Sequence, residues 1–374
     1  MKLLLTADLH LHPHPQYQNQ VSDLGGVSYD SPINSRLAWG LLALRRMLRR
    51  AKELGAVLVV CGDLFHTVYR RGVIDALVLD ETRRALEEED CPCILLPGNH
   101  DMLKNYQTPL QVLDGHAGGK VRAYSQPVAL DRTTPGLEGL GDMQLFLCPY
   151  RSTQADITDA IASLLPSVDP DRPSILLTHL AIRGVPVGAF EAVLEEGIGG
   201  EDGVTLAACF DLVFSGHIHK HQAPGGGFAN WFYIGNPYPL DFGDEHDPKG
   251  YLVLDTDTYD VRQEFLEGFP QFRTVAVQVA EDVPLALQAL GRGEYVRVRA
   301  PRDLAPRLEE FSNISWVEPP LQATSTRLEA GRSMSDYIAD FVAYRNPENL
   351  NHETLTDLGK ALYEGRVPYS EDPF

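Results

Sequence analysis

Five short apolar runs recur between residues 3 and 214, and each is followed by side chains that can bind a metal ion. Several stretches between the runs have helical spacing, as in 35–54, where leucines recur on one face. Runs without polar alternation are typical of strands covered on both faces, and their alternation with helices predicts an α/β core. The runs are LLLT (3–6), AVLVVC (56–61), CILL (93–96), SILL (174–177) and DLVF (211–214). Two later runs, 231–234 and 251–254, lack intervening helices and are predicted to be added, antiparallel strands.

The polar segments after the five runs are predicted to meet in one place. In open α/β sheets, ligands bind at the carboxyl ends of the strands, so segments far apart in sequence converge there. Each segment alone could have a purely structural explanation, such as a turn, an Asp cap or a solvated His. The presence of all five in one chain argues against that explanation. The segments are Asp8-Leu9-His10, Gly62-Asp63-Leu64-Phe65-His66, Gly98-Asn99-His100-Asp101, Thr178-His179 and Gly216-His217-Ile218-His219.

The side chains in these segments form a coherent set of metal ligands. Two divalent ions that share one carboxylate, about 3.5–4 Å apart, would use the set fully and could activate water against a phosphoryl group. Nitrogen and oxygen donors without a thiolate suit manganese, iron or zinc better than calcium or copper. His100 is a spare imidazole that could stabilise a leaving oxygen or give it a proton. The candidate ligands are Asp8, His10, Asp63, Asn99, His179, His217 and His219.

These segments resemble the five motifs of the calcineurin-like metallophosphoesterases. Within that superfamily the chain is most similar to the SbcD-type DNA-repair nuclease subunits, including the phage recombination nucleases. The narrower resemblance depends on GDLFH (62–66) and on GNPYPLDFGDEHDPKGYLVLD (235–255). It covers residues 1–268 well and the remainder weakly. Residues 13–36 do not match the cellular enzymes and are more similar to the phage-type relatives. The resemblance implies a two-sheet α/β sandwich flanked by helices, with a small α+β capping domain and C-terminal helices.

The resemblance also implies a role for each residue of the set. One metal would be held by Asp8, His10, Asp63 and His219, and the other by Asp63, Asn99, His179 and His217, with Asp63 bridging. His100 would assist the scissile phosphate and its leaving group. His66 would position the substrate or shape the site rather than bind a metal. Manganese is the family's usual cofactor for nuclease activity, with magnesium, iron or zinc as alternatives.

Three domains are expected: a nuclease domain over 1–268, a capping domain over 269–330 and a partner-binding tail over 331–374. Strands are predicted at 273–280, 295–299 and 314–317, and helices at 283–291 and 302–311. Arg292, Arg297 and Arg299 belong to a locally basic segment of the cap, which predicts contacts with DNA phosphates. An ordinary solvated face is the alternative interpretation.

Two stretches of the tail, 333–345 and 353–365, carry apolar stripes at helical spacing. The resemblance implies that they dock on the coiled coil of an SbcC-type ATPase; packing against the chain's own core is the alternative. With 32 basic and 52 acidic residues, the net charge of −20 opposes binding of nucleic acid by bulk electrostatics. A partner ATPase would supply the positive surface that the chain lacks.

Composition also indicates the cellular compartment in which the protein is expected. No stretch approaches the roughly 20 apolar residues needed to span a bilayer, so no membrane association is expected. The five cysteines form no zinc pattern and are interpreted as reduced thiols of a cytoplasmic protein, in the host cytoplasm if the chain is phage-encoded. The leading hypothesis is a metal-dependent DNA exonuclease and endonuclease that acts as a homodimer with an ATPase. A metallophosphodiesterase for nucleotides or other small molecules is the alternative, and the complete ligand set disfavours a non-catalytic scaffold.

Overall fold

The computed structural model describes residues 1–66, 74–103, 106–187, 192–193, 197–224, 228–277, 293–299 and 314–317, with isolated positions at 288, 354, 356, 357 and 360. The chain divides into two compact units, Met1–Val317 and Glu318–Phe374. The tail stretches 333–345 and 353–365 and the expected helices of the cap lie outside the described residues, apart from those isolated positions. No helix among the described residues is long and apolar enough to cross a membrane.

The strands are β1 (Lys2–Thr6), β2 (Gln20–Leu24), β3 (Val27–Asn34), β4 (Ala56–Cys61), β5 (Cys93–Leu96), β6 (Val121–Ala123), β7 (Val128–Leu130), β8 (Gln144–Cys148), β9 (Ser174–Thr178), β10 (Pro186–Val187), β11 (Ala192–Val193), β12 (Leu212–Ser215), β13 (Trp231–Tyr233), β14 (Gly250–Asp255), β15 (Val261–Phe265), β16 (Phe272–Ala276), β17 (Tyr295–Arg299) and β18 (Ile314–Val317). The α-helices are α1 (Ser35–Leu54), α2 (Ala76–Glu89), α3 (His116–Gly119), α4 (Gln154–Leu164) and α5 (Gly200–Ala207).

Two large sheets contain the predicted runs. The first has the order β15-β14-β1-β4-β5-β6, in which β1, β4, β5 and β6 are parallel and β14 is antiparallel to β1. The second has the order β13-β12-β9-β8-β7. Within it β13 is parallel to β12, so the prediction of an antiparallel strand there is wrong, whereas that for the 251–254 run is confirmed.

Alternate residues of each central strand serve two different cores. Leu3, Leu5 and Val59 point between the two sheets, where they meet Leu145, Leu177 and other residues of the second sheet. Leu4 and Leu58 point the other way and pack with α1 and α2. The outer face of the second sheet packs in the same manner with α4 and α5. Burial on both faces explains the continuous apolar runs, and the predicted α/β class, a two-sheet sandwich flanked by helices, is confirmed.

A β-hairpin of β2 and β3 occupies much of the 13–36 stretch and leads into α1. Its turn is the pair Gly25-Gly26, with φ of +60° and +81°, as a two-residue hairpin turn requires. The side chain of Asn34 then caps α1 by accepting hydrogen bonds from the N–H groups of Arg36 and Leu37. After residue 268 come β16, β17 and β18, which form a separate three-stranded parallel sheet.

Candidate metal centre

The predicted site residues follow the carboxyl ends of five strands, three in the first sheet and two in the second. Asp8 and His10 follow β1, Asp63 follows β4, and Asn99 and His100 follow β5. His179 follows β9, and His217 and His219 follow β12. Backbone hydrogen bonds tie the loops of the first sheet together, from Asp8 N–H to the Gly62 carbonyl oxygen and from His10 N–H to that of Asp63, both 3.0 Å. The two sheets therefore present their loops to one shared edge.

Asp63 lies in the middle of this cluster. Its Oδ2 atom is 3.3 Å from Nε2 of His179 and 3.7 Å from Nε2 of His10. Its Oδ1 atom accepts a hydrogen bond of 2.8 Å from the N–H of His100. The carboxylate thus faces residues from both sheets, which is the position a bridging ligand needs.

The other candidate ligands fall into two groups around Asp63. The ligand atoms of Asp8, His10 and His219 lie within 4.8 Å of one another. On the other side, Oδ1 of Asn99 is 3.1 Å from Nε2 of His179 and 3.0 Å from Nδ1 of His217. All seven predicted side chains come together, and they divide as two neighbouring sites would require.

The donor set fits divalent cations. The Nε2 atoms of His10 and His219 face each other at 3.2 Å, although two neutral imidazoles cannot both present lone pairs there without a proton or a cation between them. His179 donates from Nδ1 to the carbonyl oxygen of Cys61 at 2.8 Å. That bond leaves its Nε2 directed into the cluster, as in the outer-shell arrangement that orients metal-binding histidines.

Two glycines make the close approach possible. A Cβ atom at Gly98 would stand 2.2 Å from Oδ1 of Asp63, and one at Gly62 would stand 2.0 Å from Nδ1 of His179. Gly62 also has a φ of +95°, a conformation that favours glycine. The glycines of GDLFH and GNHD are therefore required by the packing of the ligands themselves.

Four of the candidate ligands have left-handed backbone conformations. The φ values are +55° for Asp8, +48° for His10, +53° for Asp63 and +81° for His217. Such conformations are uncommon outside glycine and cluster at functional sites. These strained conformations direct the four side chains toward the centre of the ligand cluster.

The electrostatics of the cluster follow from burial and from close pairing. Burial raises the pKa of Asp8 to about 6, an effect that nearby His179 and His219 only partly offset. Burial would also raise the pKa of Asp63 and lower that of His179, but the two groups stabilise each other's charge. The pKa of Asp63 is therefore lowered, and that of His179 is raised to about 9. Burial lowers the pKa of His217 to about 3.

His66 and His100 lie beside the cluster as a stacked pair, with ring centroids 4.6 Å apart and an interplanar angle of 20°. Nδ1 of His66 is 3.1 Å from Nδ1 of His10, on the ring edge that faces away from His219. His66 thus supports a candidate ligand from behind, while His100 occupies the border of the site. Shaping the site is one of the two roles that the family resemblance implies for His66.

Asp101 is a buried carboxylate that joins two loops of the site, a role that the sequence does not predict. It is fully buried and accepts hydrogen bonds from the N–H groups of Leu64, Phe65 and Gly98, at 2.9–3.1 Å. Burial and the nearby Asp63 raise its pKa to about 7. Asp101 locks the loop after β4 to the loop after β5, and its place at the end of GNHD is the one signal that could have indicated this.

A buried ion pair holds the backbone of His219. Lys249 donates from Nζ to Oδ1 of Asp244 at 2.6 Å and to the carbonyl oxygen of His219 at 3.0 Å. The N–H of Asn236 donates to the same carbonyl oxygen, and its side-chain amide donates to Asp244. The 235–255 segment therefore supports the site directly, which the resemblance alone does not reveal.

The arginines that are predicted to contact DNA differ in burial and in their contacts. Arg297 donates to Oγ1 of Thr274, and its guanidinium lies 4.5 Å from the ring centre of Phe242. Arg299 is half-buried, and Arg292 lies outside the described residues.

Six nitrogen and oxygen ligands around the central carboxylate of Asp63 are the kind of arrangement that two-metal hydrolases use. Residues 1–221 match the family model of the calcineurin-like phosphoesterases, and the chain belongs to this family. It is therefore a phosphoesterase, and the family implies a dinuclear centre of divalent ions.

Several known proteins are similar to the chain, and the predicted SbcD-type resemblance is confirmed. The D subunit of the nuclease SbcCD from Staphylococcus saprophyticus is 25% identical over 313 residues, which are 80% of this chain and 79% of that protein. Exonuclease subunit 1 of Enterobacteria phage T4 is 44% identical over 54 residues, 14% of each chain. Among solved structures, TT1561 of Thermus thermophilus is 13% identical, with a TM-score of 0.41, and covers 71% of this chain and 98% of that one.

Proposed function

We propose that the chain is a metal-dependent DNA exonuclease and endonuclease, and that it works as a homodimer with a coiled-coil ATPase in DNA repair or recombination. The observation that carries the proposal is the convergence of six other candidate ligands on Asp63 from two sheets. Similarity to a nuclease subunit over 80% of the chain supports DNA as the substrate. Both features are needed, because the metal centre alone does not specify which phosphate ester is hydrolysed.

Asp8, His10, Asp63 and His219 would hold one metal, and Asp63, Asn99, His179 and His217 the other. Bound there, two divalent ions, manganese in first place, would supply Lewis acidity and an activated water. Asp63 faces both groups, and Asn99 reaches His179 and His217 through a single oxygen. The left-handed backbones and the Cys61 contact hold these side chains in place before substrate arrives.

His100 is proposed to act on the leaving oxygen. Its N–H is bonded to Asp63 and its ring stacks on His66, so the imidazole stands beside the metal ligands with its orientation fixed. In that position it can stabilise charge on the scissile phosphate or give a proton to the departing oxygen. His66 would position both His100 and the substrate.

Partner and DNA contacts complete the proposal. Arg297 and Arg299 of the cap, together with Arg292, would contact DNA phosphates. The tail would dock on the ATPase through the apolar stripe of 333–345. A Phe341→Asp change in that stripe should abolish co-purification with the partner ATPase but leave small-ester hydrolysis intact, and unchanged co-purification would contradict the tail assignment.

The main test compares the full chain with Asp63→Asn and His100→Ala on labelled single- and double-stranded DNA, and on bis(p-nitrophenyl) phosphate, with manganese. We expect metal-dependent DNA cleavage in the wild type and its loss in both variants. His116→Ala is a matched control, because that imidazole pairs with Glu87 outside the site. Normal DNA cleavage by Asp63→Asn would overturn the proposal.

One observation favours a second candidate, a phosphodiesterase for nucleotides or other small molecules. The net charge of −20 repels a polyanion such as DNA. A wild-type chain that hydrolyses the small ester but neither binds nor cleaves DNA, with or without an ATPase partner, would establish this alternative.

A further inference from the structure

An open pocket of about 340 Å³ lies beside the metal-ligand cluster. Its lining joins the loop after β1, the first turn of α1, the segment before β14 and the strands β16 and β17. The residues that matter are His14, Tyr17, Arg36, Phe242, Phe272 and Arg297.

The pocket connects with the site through a row of imidazole rings. The ring of His14 lies 5.9 Å from that of His66, which stacks at 4.6 Å on the ring of His100. The pocket wall is therefore two ring contacts away from the residue proposed to assist the leaving oxygen. That separation suits a nucleotide adjoining the one that is cleaved.

The pocket is positively charged within a strongly acidic chain. Arg36 is buried and donates to the carbonyl oxygens of Leu240 and Gln16, at 2.5 and 3.4 Å. Across the described residues, no carboxylate forms an ion pair with Arg36. The lining contains two guanidinium groups, from Arg36 and Arg297, against one carboxylate, that of Asp241, which accepts a hydrogen bond from the N–H of Gly243.

Aromatic rings surround the two guanidinium groups. Tyr17, Phe242 and Phe272 contact one another edge to face, with centroids 4.9–6.1 Å apart. Arg36 lies over Phe272 at 5.2 Å, and Arg297 lies over Phe242 at 4.5 Å. Tyr17 is only half-buried, and its φ of +53° is rare for a bulky residue.

His14 also contributes to the wall of the pocket. Its Nε2 atom is buried and has no hydrogen-bond partner in the described part of the chain. Buried polar atoms are nearly always paired, so this nitrogen is an exception within the wall of the pocket.

We propose that this pocket binds the nucleotide next to the scissile phosphate on a single-stranded end of nucleic acid. Arg36 and Arg297 take its phosphate, and Tyr17 and Phe242 take its base or sugar by stacking. Guanidinium groups for the backbone and aromatic rings for the bases are what recognition of single strands requires. This inference rests on the proposed nuclease function and deepens it, since it places a substrate contact on residues outside the metal centre.

The test uses the full chain and the variants Arg297→Gln and Tyr17→Leu, with Arg132→Gln as a control. Arg132 carries the same charge but pairs with Asp142 away from the pocket. Binding of a fluorescein-labelled ten-nucleotide strand is measured by anisotropy in EDTA, so that binding is separated from cleavage. The ratio of kcat/KM for DNA to that for bis(p-nitrophenyl) phosphate is then measured with manganese.

We expect each pocket variant to weaken binding about tenfold, in line with one lost stacking or phosphate contact, and to lower the kcat/KM ratio by a similar factor. The salt dependence of binding should also fall by about one unit of slope for Arg297→Gln. If both variants match Arg132→Gln while the wild type cleaves DNA, the pocket proposal is wrong, and so is the phosphate contact proposed for Arg297. The metal-dependent nuclease activity itself would stand. Equal losses on DNA and on the small ester would mean a merely structural role and would also overturn it. A wild type that neither binds nor cleaves DNA would defeat both proposals.

Discussion

Oδ2 of Asp63 and Nε2 of His179 are 3.3 Å apart, although the two residues follow strands of different sheets. Asp63 follows β4 of the first sheet, and His179 follows β9 of the second. Their contact exists only when the two sheets are packed face to face on the core that contains Leu5, Val59 and Leu177. Formation of the metal centre is therefore tied to completion of the sandwich.

Gly98→Ala should disable the centre without changing any ligand. The new Cβ would stand 2.2 Å from Oδ1 of Asp63 and must displace the carboxylate. We expect small-ester hydrolysis to fall by more than about a hundredfold, the upper end for changes behind a metal ligand. Gly199→Ala is the control, since the nearest atom to its Cβ is 3.9 Å away. Equal activity of the two variants would show that Asp63 does not need its present position.

Asp101→Ala should destabilise the fold as well as the site. It would leave the buried N–H groups of Leu64, Phe65 and Gly98 without their acceptor, at a cost of about 3 kcal/mol or more. Urea unfolding of the metal-free chain measures the loss. Asp142→Ala, which removes an exposed carboxylate paired with Arg132, provides the comparison. A free energy of unfolding equal to that of Asp142→Ala would contradict the proposed locking of the two loops.

His66→Ala should weaken metal binding as well as catalysis. The removed Nδ1 atom lies 3.1 Å from Nδ1 of His10, so the orientation of that imidazole loses its support. Loss of such outer-shell partners lowers metal affinity by about 10- to 100-fold. Calorimetric titration with manganese, with His116→Ala alongside, measures the change. An unchanged affinity combined with lower turnover would limit His66 to a role on the substrate.

The pH dependence of stability should change in Glu264→Gln. Hydrogen bonds from Arg50 lower the pKa of Glu264 to about 2, from an ordinary 4.5. The ionised group therefore stabilises the folded chain fully above about pH 4.5, and this contribution disappears as the pH falls toward 2. At pH 7 the variant should be less stable by about 1 kcal/mol, a value reduced for partial exposure. The gap should narrow at pH 3.

Urea unfolding at pH 7 and pH 3 tests this expectation. Glu53→Gln is the matched control, because Glu53 pairs with the same arginine but is well exposed. A difference between wild type and Glu264→Gln that stays constant between the two pH values would refute the assigned cause.

The sequence predicts the site well because each ligand segment directly follows a buried strand. It does not predict how the strands divide between two sheets, since that depends on pairings such as β9 with β8. The run Gln144–Cys148 is missed altogether as a strand, although it is an interior strand of the second sheet. The pair Gly25-Gly26 is typical of a two-residue hairpin turn, so the hairpin within 13–36 could have been predicted from the sequence.

Other features depend on contacts that no local pattern records. Asp101 acts on Leu64 and Phe65 from 36–37 residues away, and Lys249 acts on His219 from 30 residues away. The role of each is set by where the loops meet in space. The pocket around Arg36 is of the same kind, because β16 and β17 bring Phe272 and Arg297 to the first turn of α1.

The left-handed conformations of Asp8, His10, Asp63 and His217 have a consequence for protein engineering. Copying the side chains onto another scaffold would not reproduce the centre, because the same rotamers on ordinary backbone would point elsewhere. Any graft has to carry the three distorted loops with it. By the same logic, asparagine is a gentler probe than valine at Asp8 or Asp63, since it tolerates positive φ.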